Sequence, residues 1–445
     1  MRRLQTTERC LGAPEADQTK DRDGDHLELV RQLAVRFGEC AECLLTYHDV
    51  GFSRELIRRH IGNVEAGIRE MREADALGRA ADALPRDAKD AWNRWKNLRY
   101  AAGALMITER FRGELGREER IRALVTKVFY ESLLDTLDDI IDSGSYGFAE
   151  ALDLIRHCLA PLTEARFDAG GFQAELEGRL AREHRGLADF LTALVDTSRR
   201  NLRSAMHASA FAREFERIHE RWAFGQALTM FQKDPTLDVD AFVRGSDRLP
   251  GPDPDLSPIE RLSGAISHTA ALTLIDACFM ERPMTSEAMD EHLAAWFYFD
   301  AVLTLISNVM DLGKDLDAGI LNIFVISRRG AALSHMRQVG GYRPDLTMDD
   351  YEAYLVRAGE LTERGLRHAR RSGGDPGQFY PFVTLMFPVV AFADETGPRD
   401  ELIHAYLRVL APILREATAG RSPTTVTIPR RTRSGPSRSA RTASS

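Results

Sequence analysis

Apolar residues recur at three- and four-residue intervals along most of this chain, a period that leaves room for little besides packed helices. LVRQLAVRFGECAECLLTYH, ELIRRHIGNVEAGIREMREADALG and GLADFLTALVDTSRRNLRSAM all carry it. Alternating runs bounded by hairpin turns are scarce. Glycine and proline gather between the helical stretches instead, at 243–258, 339–345 and 371–378. The expected fold is all-α, a large antiparallel helical bundle. Ser257 and Pro258 should open the helix after the first of these loops, as cap and first-turn residue.

The ends of the chain depart from this pattern. Residues 1–25 are polar and read as a disordered arm, while 421–445 hold six arginines and no acid among many Ser, Thr and Pro. Such a tail cannot build a core and reads as disordered. Between them, 26–420 read as one all-helical domain with a loop insertion near 233–258. At 44% hydrophobic, the 445 residues suffice for a large core. A formal charge of -8 speaks against nucleic acid as a partner, but not against a small anion held through cations. The polar start and an odd number of cysteines, five, predict a reducing, cytoplasmic setting. No apolar run reaches transmembrane length. Cys40 and Cys43, near His48, have a metal-like spacing, but no second pair follows and small helical side chains explain them.

Two of the most apolar stretches, about Glu119–Asp142 and Ser286–Ala318, both finish in dense acid. The first reads VFYESLLDTLDDIIDSG. Asp135, Asp138 and Asp142 share one helical face, with Asp139 beside them. Like charges so spaced cost a helix about 0.2–0.5 kcal/mol each, and a helix C-terminus disfavours anions further. Local physics resists the arrangement, which suggests an external cation. Oxygen ligands without His or Cys favour magnesium over zinc. The second stretch reads FYFDAVLTLISNVMDLGKDLDAGILN. Ser307, Asp311 and Asp315 lie on one stripe, with Asn308 before them and Lys314 and Asp317 at the flanks. Two buried helices ending in carboxylates can face each other across a bundle and hold metals at its mouth. Solvated helix ends, salt-bridged by some of the 59 basic residues, are the alternative.

With these residues in view the chain resembles the class I isoprenoid synthases: terpene cyclases, squalene and phytoene synthases, and chain-elongating prenyltransferases. Asp138-Asp139-Ile140-Ile141-Asp142 matches that superfamily's first aspartate-rich motif in residues and spacing. Asp311, Gly313, Asp315 and Gly319 are similar to the second motif of the squalene/phytoene branch, although Lys314 stands where that branch carries an acid. Read as the cyclases' Asn/Asp–Ser/Thr–Glu triad, Ser307, Asp311 and Asp315 match poorly in residue type. Gly225-Gln226 resembles the place where a mid-bundle helix bends beside the cavity. The elongating enzymes' N-terminal Gly-Gly-Lys-Arg signature is missing.

The resemblance implies a bundle enclosing an apolar cavity and a prenyl diphosphate substrate. It implies up to three Mg2+ ions, held by Asp138, Asp139 and Asp142 on one side and Asn308, Asp311 and Asp315 on the other. Bound magnesium would neutralise the diphosphate as its carbon–oxygen bond breaks. Lys314, Arg328, Arg329 and Arg343 are candidates to meet the leaving group, with Arg261 a further basic residue near the loop. Phe129, Trp296 and Phe299, with Tyr130, Trp222, Phe224 and Phe324, are candidates to shield a carbocation. The expected activity is that of a terpene synthase, a carbon–oxygen lyase releasing diphosphate. Head-to-head condensation or another prenyl transfer is the alternative within enzymes. A non-catalytic prenyl-diphosphate-binding or scaffold protein is the alternative outside them. Assembly as a homodimer is left open.

Overall fold

The computed structural model describes residues 113–233, 239–329 and 345–373, with isolated positions between 55 and 74 and between 411 and 415. Every regular element among the described residues is helical, so the architecture is the all-α bundle that the periodicity predicts. The helices are α1 (Arg117–Asp142), α2 (Phe148–Leu159), α3 (Ala169–Arg179), α4 (Ala188–Arg203), α5 (Ala212–Lys233) and α6 (Val239–Ser246). They continue as α7 (Pro258–Ala265), α8 (Thr269–Phe279), α9 (Ser286–Asp317), α10 (Ile323–Arg329) and α11 (Met348–Arg371). Among these, no single helix is long and apolar enough to cross a membrane.

Local chemistry sets the helix ends. Ser257 caps α7, accepting from the Glu260 amide at 3.3 Å while Glu260 returns the bond at 2.9 Å, with Pro258 in the first turn. Thr285 caps α9 through the Ala288 amide. The two acidic helices stop alike: Gly144 and Gly319, each two residues beyond the helix, take φ of 78° and 71°. Only glycine adopts that left-handed geometry without strain, so both chains turn sharply just past their carboxylates.

The core lies where α9 packs against α7 and α11, and α1 against α4 and α8. Phe297 fills the space above Gly264, where an added Cβ would stand 2.6 Å from its ring. The stretch read as a loop insertion holds a helix, α6, whose Val239 and Phe242 are fully buried. Residues 247–255 are tied down. Arg261 donates to the Asp247 carboxylate at 3.1 Å and the Pro254 carbonyl at 2.9 Å, Arg364 pairs with Asp255 at 2.7 Å, and Tyr298 donates to Asp253.

Charge also enters the core. Lys127 of α1 and Asp276 of α8 form an ion pair with both side chains fully buried. Burial pulls the Lys127 ammonium below its ordinary value, and the Asp276 carboxylate opposes that pull.

Candidate functional site

Lys233, the last residue of α5, joins the two acidic helix ends. Its ammonium pairs with the Asp142 carboxylate at 2.5 Å and donates to the Asp142 carbonyl at 3.1 Å. Its charge also opposes the burial that raises the Asp315 carboxyl in the last turn of α9. Three helices thus bring their C-terminal turns, and the negative ends of their dipoles, toward one end of the bundle. Backbone bonds lock the arrangement: Leu321, beyond α9, donates to the Gln232 carbonyl at 2.8 Å, and the Gln232 side chain donates to the Leu321 carbonyl at 2.7 Å.

On α1, Asp138 turns inward while Asp139 and Asp142 are exposed. Gln226 of α5 donates to the Asp138 carboxylate at 2.7 Å. Burial, reinforced by Asp142 and Asp135, pushes the Asp138 carboxyl up to about 7. Its neighbour Gly225 has a different task from the bend expected there. α5 runs unbroken from Ala212 to Lys233, and a Cβ on Gly225 would stand 3.0 Å from Ile266 and 3.3 Å from Ala265. The glycine lets two helices approach.

On α9, Ser307 donates to Asp311 at 3.2 Å. Asn308 accepts from the Ile323 amide at 3.1 Å and donates to the Thr304 carbonyl at 2.9 Å, which commits its side chain to fixing the turn into α10. Asn322 donates to Asp315 at 2.6 Å and to the Asn308 carbonyl at 2.7 Å. Burial raises the Asp315 carboxyl and Asp311 adds to it, while Asn322, Lys314 and Lys233 pull it down. Lys314 itself is exposed.

Behind Asp138 lies His268, whose Nε2 stands 2.5 Å from Glu131. Burial alone would push the ring down. The Glu131 carboxylate, with Asp300 and Asp138, outweighs that and holds it at about 9, so it is an imidazolium at neutral pH. A third of the side chain nonetheless remains exposed. Asp300 of α9 is wholly buried, both oxygens lacking a hydrogen-bond partner, and burial raises its carboxyl to about 6.

Other expected site residues have different surroundings. Arg328 and Arg329 both grip Asp350 at the start of α11, at 3.2 and 2.8 Å, and hold that carboxyl well below its ordinary value. Arg343 lies outside the described residues, as do the terminal arm, the basic tail and Cys40, Cys43 and His48. Phe129, Trp296, Phe299 and Phe324 are fully buried, and Tyr130 and Trp222 nearly so. They are close-packed core: Trp296 meets Phe299 edge-on at 5.9 Å, and Phe324 packs on Tyr354. Phe224 is only partly buried. The ground behind Asp138 holds His268, Glu131 and Asp300. Lys233, His268, Glu131 and Asn322 were not singled out by sequence reasoning. For Glu131 a signal exists, since Lys127, Glu131, Asp135 and Asp142 form a charged stripe along an otherwise apolar helix.

Among the described residues, no three His, Cys, Asp or Glu side chains stand together as a metal cage. Carboxylates in ones and twos, all oxygen donors, instead fit magnesium that arrives with a phosphate ligand and keeps its own waters.

The chain matches no known family profile and no curated protein. Among solved structures it is similar to geranylgeranyl pyrophosphate synthase from Corynebacterium glutamicum, crystallised with isoprenyl diphosphate and magnesium. The two are 14% identical over 89% of this chain and 99% of that one, with a TM-score of 0.28.

Proposed function

We propose that the chain binds a prenyl diphosphate where α1, α5 and α9 end, and ionises it there in a magnesium-dependent reaction. The observation that carries this reading is the Lys233 link: one ammonium pairs with Asp142 and favours the ionised form of Asp315. Asp138, Asp139 and Asp142 would hold magnesium from α1, and Asp311 and Asp315 from α9, with Asn308 keeping the α9 turn in shape. Bound magnesium would offset the charge gathering on the departing diphosphate. Gln226 orients Asp138, and Asn322 orients Asp315. Lys233 and exposed Lys314 supply positive charge on the side where a diphosphate would enter. His268 keeps a cation behind Asp138.

The carbocation formed by ionisation has two fates, closure to a terpene or transfer to a second prenyl substrate. Incubation with geranyl, farnesyl, geranylgeranyl and geranylfarnesyl diphosphates, with and without magnesium and isopentenyl diphosphate, separates them. Release from a single substrate with a product of unchanged carbon number marks a terpene synthase, release with a product of doubled carbon number marks head-to-head condensation, and release only with isopentenyl diphosphate marks an elongating transferase. Asp139→Ala and Asp311→Ala should each abolish release while helicity stays unchanged. Magnesium-independent release, or full activity in either variant, would sink the proposal. Magnesium-dependent binding without release would instead favour a prenyl-diphosphate-binding protein, which the Lys233 ammonium, already neutralising the carboxylates, also suits.

A further inference from the structure

Away from the acidic end, a groove of about 1100 Å³ runs between the first halves of α5 and α9, with residues 248–252 as its outer wall. Arg221, on this groove, lies about 18 Å along α5 from Lys233, at 1.5 Å per residue. The volume is at the upper end of small-ligand cavities, roughly 300–1,000 Å³. Ile218, Phe224, Leu293 and Phe297 give it an apolar lining. The wall is preformed, because Arg261, Arg364 and Tyr298 anchor the loop that supplies it. A preformed wall spares a ligand the cost of ordering it.

Most charges on this groove are accounted for. Glu220 pairs with Arg156, Glu291 with Arg371 and His368, and Asp290 with Arg217. Arg213 and Arg248 are exposed and offset by exposed Glu216 and Glu287. Glu214 sits in the first turn of α5, where the helix dipole stabilises a carboxylate, and one of its oxygens is buried without a hydrogen-bond partner. Among the cations of the groove, Arg221 is the exception. Its guanidinium is mostly buried, lies over the Phe297 ring at 5.0 Å, and has an Nε with no hydrogen-bond partner. No carboxylate among the described residues lies within ion-pair distance of it. Asp300 attracts it only from further off, on the interior side. Stacking on Phe297 fixes the plane of the fork, which suits a planar or tetrahedral oxyanion.

We infer that this groove binds a small amphipathic anion, an apolar chain carrying one carboxylate or phosphate, with the head group on Arg221 and the chain along Phe224, Leu293 and Phe297. The site needs no magnesium and shares no residue with the acidic end.

Isothermal titration of the full chain in EDTA, with decanoate, decyl phosphate and decanol as probes, tests the inference. One equivalent of decanoate or decyl phosphate should bind, and the tighter of the two identifies the head group. Decanol should bind at least tenfold more weakly. Arg221→Gln should weaken the charged probes at least tenfold. Leu293→Trp, which fills the groove while leaving Arg221 and Asp300 in place, should abolish binding, and it decides the matter if Arg221→Gln does not fold. Asp139→Ala should bind as wild type does, so loss of diphosphate chemistry and loss of this site are separable. Absence of stoichiometric binding, equal affinity for decanol, or undiminished binding by either groove variant overturns the inference.

Discussion

His268 holds its proton because three carboxylates, Glu131, Asp300 and Asp138, surround a ring that burial alone would neutralise. The folded value of about 9 lies above the unfolded value of roughly 6.5. Its stabilising contribution is therefore complete below pH 6.5 and is lost as pH rises through 9. Asp138 and Asp300, raised to about 7 and about 6, act in the same direction at lower pH, since each costs stability once ionised. Stability should fall steadily from mildly acidic to alkaline pH, by at most about 3 kcal/mol for His268 alone, less the screening by solvent of a side chain one third exposed. Urea midpoints at pH 6, 7.5 and 9 would show it. His268→Gln should flatten the upper part of that slope, and an unchanged slope would remove the ring from the account. None of this was readable beforehand, because an isolated histidine between two helices looks the same whether packed, solvated or charged.

Helix boundaries were far more legible than helix neighbours. Expected limits of about Glu119–Asp142 and Ser286–Ala318 compare with Arg117–Asp142 and Ser286–Asp317. Apolar period, a capping threonine and a terminal glycine are local signals and act alike in any tertiary context. Which helix ends meet is not local. Lys233 in MFQKDP reads as any surface lysine until α5 is laid beside α1 and α9. α6 was missed because eight residues between glycines and prolines give too short a window for a period. Two predictions concern contacts between elements. Gly264→Ala places a Cβ against the Phe297 ring and should cost about 1–3 kcal/mol, with Phe297→Leu in the same chain recovering part of it. Equal stability of Gly264→Ala and wild type in denaturant would show that α7 and α9 can shift apart. Lys127→Met leaves Asp276 charged in the core and should cost about 3–5 kcal/mol, while adding Asp276→Leu should restore most of it. A double variant no more stable than the single one would mean the pair is worth more than its desolvation.

Across the whole molecule, one ammonium and the Gln232–Leu321 bonds join the acidic end, where the resemblance noted in the sequence implies several metal ions. Lys233→Met removes the charge offsetting Asp142 and Asp315, and should lower stability by about 1 kcal/mol. Calorimetry with added magnesium should then show a larger rise in melting temperature for the variant than for wild type, because the cation no longer competes with a tethered lysine. Identical responses would place any magnesium binding elsewhere. The aspartate clusters were visible as a departure from helix energetics. The polar ground behind them was not, because Glu131 and Asp300 are single acids within long apolar runs.

Arg221, Asp300, His268 and Asp138 alternate in sign from the groove to the acidic end, each acting on the next through space. For a lineage carrying such a string, neutral drift has few single steps. Exchanging Asp300 for an apolar residue leaves Arg221 without the one carboxylate that attracts it, whereas exchanging both together does not, and in either case Glu131 and Asp138 still balance His268. Variation in related chains should therefore come in linked pairs along this line. Substitutions far from the aspartates, tried one at a time in a mutational screen, would then register as losses of the chemistry they never touch.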